Sequence, residues 1–372
     1  MECYKKIMLL LCVCGTMIVM QSCVTNDLDD CPDAIRYAIA FKYTLHTEES
    51  DRYYNGEYDR FYDDVDKMFI YVFDATTKLC VYADTATLLA PFEDNFIYPL
   101  PLNVGNYNII IWGWGRNKDS QALKISTAVI PSIVPNVTSI DNARLQLEET
   151  IIRGQLENIF YSEHRNVEIS PFLSRIDTLP LINISNMVRV VIADATTANF
   201  QDGLNIYIEG DDGAYVFNSV SRSSDSYPGN AGYFKSGNNA PDFYSGNRSN
   251  VTYFPFNTYR TDSILKADPI YLVNPYTGTG RDSMLVVEMS TLRLLQNNTN
   301  MSLIVEYEGK KYNFSLLDLL QAGITNRIQY NLDRYHRWQI VINITDTYVT
   351  VHVYAMNWHV VLVPSVIGEL TQ

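Results

Sequence analysis

Residues 64–74, DVDKMFIYVFD, carry the clearest structural signal in the chain. The six residues 68–73 are apolar without interruption, so an extended segment here would present apolar side chains on both faces. Such a segment is expected to form a central strand between two packed layers. Residues 74–78 then have turn-forming composition and residues 79–82 become apolar again, which predicts a β-hairpin.

Patterns with a period of two recur on both sides of this stretch. In residues 35–45, Tyr37, Ile39, Phe41 and Tyr43 alternate with smaller or polar residues, which predicts a half-buried strand. The 372 residues include 27 Tyr and 15 Phe, and only 19% are charged, a composition that argues against disorder and against a helical bundle. The sequence therefore predicts an all-β fold.

The length of the chain allows two domains. The strand pattern restarts near residue 179, which predicts one β-sandwich over 35–178 and a second, of seven or eight strands, over 179–372. Residues 221–250, rich in Ser, Gly and Asn, are expected to form an exposed insertion. The weak pattern of residues 117–157 suggests loops and one short helix, and a further short helix is predicted at 316–321.

The N-terminus resembles a bacterial lipoprotein signal. A basic start is followed by an apolar run over residues 7–20 and then by Met20-Gln21-Ser22-Cys23. We expect removal of residues 1–22, acylation of Cys23 as an outer-membrane lipoprotein, and an acidic tether over 23–34. An ordinary signal peptide with an incidental cysteine, or a short anchor helix, is the alternative.

Two cysteines would remain in the body of the mature chain, Cys31 and Cys80. An exported protein meets an oxidising compartment, so a disulfide between them is one interpretation. Two unlinked buried thiols are the other.

No constellation typical of an enzyme stands out. The five histidines lack metal-ligand spacing, and no nucleophile elbow or phosphate loop is present, so we expect no enzymatic activity, no metal and no cofactor. Asp211-Asp212-Gly213 lacks the later ligands of a calcium loop and is interpreted as a turn. The 42 acidic residues outnumber the 28 basic ones, which argues against a nucleic-acid partner.

An aromatic stretch suggests one binding function. Aromatic rings stack on sugars, so five side chains could form a glycan platform, or they could cover the core: Tyr53, Tyr54, Tyr58, Phe61 and Tyr62.

Several short motifs together resemble the FimB-like, fimbrillin-A associated anchor family of type V fimbriae in Bacteroidetes. The motifs are the lipobox with Cys31-Pro32, the strand at 65–74 ending in Phe-Asp, Leu100-Pro101 with Gly105-Asn106-Tyr107 and Trp112-Gly113, and the region from 186–190 to 358–361.

The resemblance implies two tandem transthyretin-like β-sandwich domains in a minor subunit at the base of a fimbria. Such a lipid-anchored subunit would hold a donor-strand-assembled fimbria on the outer membrane and limit its length. Residues 35–45 would be a retained first strand that stops growth, and the stalk subunit would be the partner. A tip adhesin of the same system, or a glycan-binding surface lipoprotein, is the alternative.

The tail supplies a candidate donor strand for that assembly. Val360, Val361, Leu362 and Val363 form a short apolar run after Trp358. A last edge strand folded onto its own domain is the competing interpretation, because Pro364 would interrupt a long inserted strand.

Overall fold

The fold is taken from a computed structural model. It describes residues 37–43, 59–88, 96–115, 125–126, 128–171, 174–194, 204–217, 250–261, 263–267, 270–273, 284–292, 294, 300–307, 309–322, 337–344 and 349–355.

Within these residues the chain is built almost entirely of strands, as predicted. Their bounds are β1 Tyr37–Tyr43, β2 Val65–Asp74, β3 Cys80–Thr87, β4 Ile97–Pro99, β5 Gly105–Gly115, β6 Ile125–Ser126, β7 Ala128–Val129, β8 Arg144–Leu147, β9 Ile151–Ile152, β10 Gln155–Leu156, β11 Ile159–Ile169, β12 Arg175–Asn183, β13 Asn186–Asp194, β14 Asn205–Gly210, β15 Ala214–Val216, β16 Val251–Tyr253, β17 Asn257–Thr261, β18 Ser263–Ala267, β19 Ile270–Val273, β20 Met284–Thr291, β21 Ser302–Tyr307, β22 Lys310–Ser315, β23 Arg337–Ile344 and β24 Val349–Ala355. The helices in the described residues are α1, Phe61–Asp64, and α2, Leu316–Ala322, where the sequence predicts a short helix at 316–321.

The N-terminal sheet has seven strands in the order β3-β2-β5-β11-β12-β1-β4. Strands β2 and β3 form the predicted hairpin. Met68, Ile70 and Val72 of β2 pack into one apolar cluster, which we call the N-terminal core. Tyr71 and Phe73 pack on the opposite face, into a second cluster that we call the central core. The prediction that this strand lies between two packed layers is confirmed.

The two edge strands of this sheet approach each other. The hydroxyl of Tyr82 in β3 lies 2.7 Å from that of Tyr98 in β4, and both tyrosines donate hydrogen bonds to the carboxylate of Asp84. The sheet therefore curls around the N-terminal core, and side chains bridge its edges.

Two five-stranded sheets make up most of the C-terminal half. Their orders are β17-β20-β13-β23-β24 and β22-β21-β14-β16-β9. Both contribute to the central core, for example through Val190 and Ile340 of the first sheet and Ile208 and Leu303 of the second. The half is therefore a sandwich, with the leucines of α2 packed into the same core.

The two predicted domains are joined more closely than the sequence suggests. Strand β12 runs through the predicted boundary at 178/179, and its partners β1 and β11 both belong to the N-terminal sheet. That sheet therefore extends to Asn183. In addition, β8 pairs with β15 and β9 pairs with β16, so two further sheets combine strands from both sides of the boundary. The central core is continuous across both halves.

The structure differs from the expectations at residues 117–157 and 251–273. The described part of residues 117–157 contains five short strands, β6 to β10, and turns in place of the suggested helix. Strands β16 to β19 were not predicted. The proposed insertion at 221–250 falls almost entirely outside the described residues. No helix in the described ranges is long and apolar enough to cross a membrane.

Candidate functional site: the first strand in its groove

Strand β1 lies inside the N-terminal sheet and has partners on both sides. All seven of its residues pair in parallel with β12, from Tyr37 opposite Arg175 to Tyr43 opposite Leu181. On its other side, Ala38–Ala40 pair antiparallel with β4. An extended segment without partners would leave its main-chain N–H and C=O groups unpaired. The pairing with β12 and β4 satisfies these groups in β1, so the strand is an integral part of the sheet.

The side chains of β1 fill the N-terminal core. The alternating residues Tyr37, Ile39, Phe41 and Tyr43 are exposed by only 1%, 0%, 5% and 2%, as the sequence pattern predicts. Each buried side chain of this kind contributes about 1.5–3 kcal/mol. Loss of the strand would therefore uncover a long apolar groove.

Aromatic rings line this groove. The ring centroid of Phe41 lies 5.4 Å from that of Phe61 and 6.1 Å from that of Phe96, with stacked orientations. Tyr43 meets Phe160 edge to face at 4.7 Å. Such pairs add about 0.5–1.5 kcal/mol beyond area burial.

Asp59 fixes the C-terminal end of β1. One carboxylate oxygen, Oδ1, accepts hydrogen bonds from the main-chain N–H groups of Tyr43 and Phe61, both at 3.0 Å. The N–H of Arg60 also donates to the Tyr43 carbonyl at 2.7 Å. The chain is thus held where it leaves the strand.

A polar cluster fixes the N-terminal end. The Tyr37 hydroxyl donates to Asp177 Oδ2 at 2.8 Å, and Arg175 Nε lies 2.5 Å from Asp177 Oδ1. His164 Nδ1 lies 3.2 Å from Asp177 Oδ2. Burial acts to raise the pKa of Asp177, but the hydrogen bonds from Arg175 and Tyr37 and the nearby positive charges outweigh it and hold that pKa below its usual value. The carboxylate therefore stays charged and keeps its bond to β1.

The sequence alone did not identify the partners of this strand. Asp177 lies 140 positions from Tyr37, and nothing in its local pattern marks it as a partner. Asp59 follows an aromatic-rich stretch whose composition gives no sign of a cap.

The other predicted site residues are not assembled into one site. Cys23, Cys31 and the tail residues Val360, Val361, Leu362 and Val363 lie outside the described residues. Cys80 is buried, with its Sγ 3.3 Å from the Tyr82 carbonyl oxygen, and burial raises the pKa of its thiol. A disulfide with Cys31 stays a prediction.

Only two of the five residues of the suggested glycan platform, Phe61 and Tyr62, lie in the described part of the chain. Tyr53, Tyr54 and Tyr58 lie outside the described residues. Phe61 is fully buried in the N-terminal core, and Tyr62 is half-buried, with its hydroxyl accepting the Phe96 N–H. These two rings cover the core, which was the alternative interpretation.

In the described part of the chain, no three His, Cys, Asp or Glu side chains lie close enough together to hold a metal ion.

The fold and this site define an all-β protein in which the first strand completes the N-terminal sheet. The same fold occurs in the crystal structure of a candidate polysaccharide-binding protein from Bacteroides thetaiotaomicron, with a TM-score of 0.58 and 19% identity over 86% of this chain and 98% of that one. The fimbrial anchor protein Mfa2 from Porphyromonas gingivalis is also similar, with a TM-score of 0.51 and 16% identity over 87% of this chain and 99% of that one.

The sequence itself identifies the family. The family model for the fimbrillin-A associated anchor proteins Mfa1 and Mfa2 matches residues 28–364, so this chain belongs to that family. The resemblance deduced from the motifs is confirmed, and the chain is a fimbria-associated surface protein. It matches no curated protein.

Proposed function

We propose that this protein is a lipid-anchored minor subunit that attaches a donor-strand-assembled fimbria to the outer membrane and limits its length. The observation that carries the proposal is the position of β1, which is paired on both sides and buried in the N-terminal core.

An occupied groove gives a physical reason for limited growth. In donor-strand assembly, a strand from one subunit completes the sheet of the next, and an open sheet edge is needed to receive it. Here a donor would have to displace a covalently attached strand with four buried large side chains. A subunit that keeps this strand would end the polymer on its own side.

Membrane attachment is proposed to come from acyl groups on Cys23. Removal of residues 1–22 leaves 26 basic and 41 acidic residues, a net charge of −15, so the polypeptide itself would be repelled by anionic lipid. One acyl chain gives only marginal binding, whereas two or more hold a protein stably. The two transthyretin-like domains and a surface-exposed location are part of the same proposal.

Contact with the stalk subunit is proposed to involve the tail. Strand β24 is an edge strand of its sheet and ends at Ala355, before the apolar run at Val360–Val363. Deletion of residues 359–372 is expected to release fimbriae into the medium, while the anchor itself stays in the membrane fraction. Electron microscopy of cells and immunoblots of the medium would measure both.

A shorter deletion provides the matched control. Removing only residues 369–372 leaves the apolar run intact and should leave fimbriae attached. Unchanged attachment after deletion of 359–372 would overturn the donor role of the tail.

A glycan-binding role has less support. The fold is shared with a candidate polysaccharide-binding protein, but at 19% identity this likeness concerns the fold alone. Phe61 and Tyr62, the described members of the aromatic stretch, are engaged in the N-terminal core.

A further inference from the structure

A cavity opens at one end of the C-terminal sandwich, where β14, β17 and β20 meet. In the pairing of β17 with β20, Thr258 lies opposite Val287 and Arg260 lies opposite Leu285. Directly opposed residues of an antiparallel pair project to the same face. Arg260 is therefore on the inner, apolar face of its sheet, where the neighbouring strand places Leu285 and Val287.

Five of the nine residues that line the cavity are apolar, and the others are Asn205, Thr258, Tyr259 and Arg260. Its volume is about 340 Å³, and its floor includes Ile206 and Val287, which are exposed by only 4% and 3%. Leu204, Pro255 and Leu285 continue the apolar lining. A cavity of about 150 Å³ already holds benzene, so this one has room for a hydrocarbon body of eight or more carbons.

Arg260 is the one cationic residue in the described lining of the cavity. Arg260 is exposed, and it forms no ion pair or hydrogen bond with any other residue in the described part of the chain. Several other arginines form ion pairs, as Arg189 does with Glu288 at 2.6 Å and Arg165 with Glu163 at 2.5 Å. Because none of the described acidic residues pairs with Arg260, its guanidinium is available to an anionic ligand in the cavity.

We propose that this cavity binds a small carboxylate with a hydrocarbon body, the chemical class of a medium-chain fatty acid. The hydrocarbon would replace water against Ile206, Leu285 and Val287, and the carboxylate would accept a bidentate pair of hydrogen bonds from Arg260. A guanidinium suits this task because its planar fork matches the geometry of a carboxylate. This site is separate from β1 and does not depend on the anchor function.

Calorimetric titration with octanoate tests the proposal. The full chain would carry Cys23→Ala so that no acyl group of its own competes, and octanol and glucuronate would be titrated in parallel. We expect saturable binding of octanoate at one site, ~10-fold weaker binding of octanol because it lacks the charge, and no binding of glucuronate because it lacks the apolar body.

Two variants in the same background separate the charge from the cavity. Arg260→Gln should weaken octanoate binding ~10-fold and leave octanol unchanged. Leu204→Phe should weaken both ligands by filling the cavity. Arg337→Gln, at an exposed position at the start of β23, is the matched control and should change neither. Thermal unfolding of each variant would verify that it is folded.

Three results would overturn the proposal. The first is no saturable octanoate binding to the parent chain. The second is octanoate binding that is equal in the parent and in folded Arg260→Gln. The third is glucuronate binding as tight as that of octanoate, which would indicate a site for acidic sugars.

Discussion

Replacement of Phe41 by alanine is expected to lower the free energy of unfolding by about 3–5 kcal/mol. The side chain is 5% exposed and stacks on both Phe61 and Phe96, whose rings also stack on each other at 6.4 Å. Its removal would leave a cavity that the rigid seven-stranded sheet cannot close by collapse. Urea unfolding followed by tyrosine and tryptophan fluorescence would measure the change.

The neighbouring residue provides the control. Lys42 is half-buried and lies on the opposite face of the same strand, so Lys42→Ala should change stability by no more than about 0.5 kcal/mol. If Phe41→Ala is as mild as Lys42→Ala, then β1 is not an integral part of the N-terminal core. The argument for an occupied groove would then fail.

The second large effect concerns a buried acid far from β1. Asp212 lies between β14 and β15, is fully buried, and accepts a hydrogen bond from the Tyr253 hydroxyl at 3.0 Å. Burial raises the pKa of its carboxyl group to about 7, and the charge of Asp211 acts in the same direction, while the bond from Tyr253 opposes them. The folded protein therefore favours the protonated acid.

The sign of the pH dependence follows from this shift. The unfolded chain titrates near the ordinary value of 3.8, so the stability contributed by the protonated acid is fully present below that pH and is lost as the pH rises to about 7. A shift of about three units corresponds to about 4 kcal/mol. Asp212→Asn cannot ionise, so at pH 8 it should be more stable than the natural chain by up to about this amount.

The comparison is sharpest when both proteins are unfolded in urea at several pH values. The stability advantage of Asp212→Asn should grow between pH 4 and pH 7 and then level off. Asp318→Asn, at an exposed position in the first turn of α2, should show no such growth over this range. An advantage for Asp212→Asn that is independent of pH would contradict a raised pKa.

Local patterns in the sequence predicted the local parts of the fold. The alternation of Tyr37, Ile39, Phe41 and Tyr43 predicted β1, and the uninterrupted apolar run at residues 68–73 predicted a strand buried on both faces. Both signals depend only on the period of side chains along an extended chain. The family motifs then suggested a role in fimbrial assembly, which the periodicity of the sequence could not indicate.

The long-range parts of the fold had no local signal. Strand β12 has the sequence RIDTLPLIN, whose mixed polarity gave no clear period, and its parallel partner β1 is more than a hundred residues away. Strands β9 and β10 are two residues long, too short for any periodicity. For the same reason, a boundary at 178/179 was placed inside a strand.

The candidate site was likewise predictable only in its local part. The apolar side of the groove was predictable from β1 itself, whereas the polar groups that fix its ends come from other segments of the chain. Asp177 and Asp59 act through single hydrogen bonds to β1, and one carboxylate among 42 acidic residues carries no mark of its partner. The buried Asp212 likewise accepts its hydrogen bond from Tyr253, 41 positions later.

The most direct test of the anchor proposal is the intact mass of the protein that co-purifies with fimbriae from the outer membrane. The account predicts a mature chain that begins at an acylated Cys23 and still contains Tyr37–Tyr43, with the acyl mass absent from Cys23→Ala. A fimbria-bound chain whose N-terminus lies beyond Tyr43 would contradict it, because such a protein would have lost β1 and opened its groove.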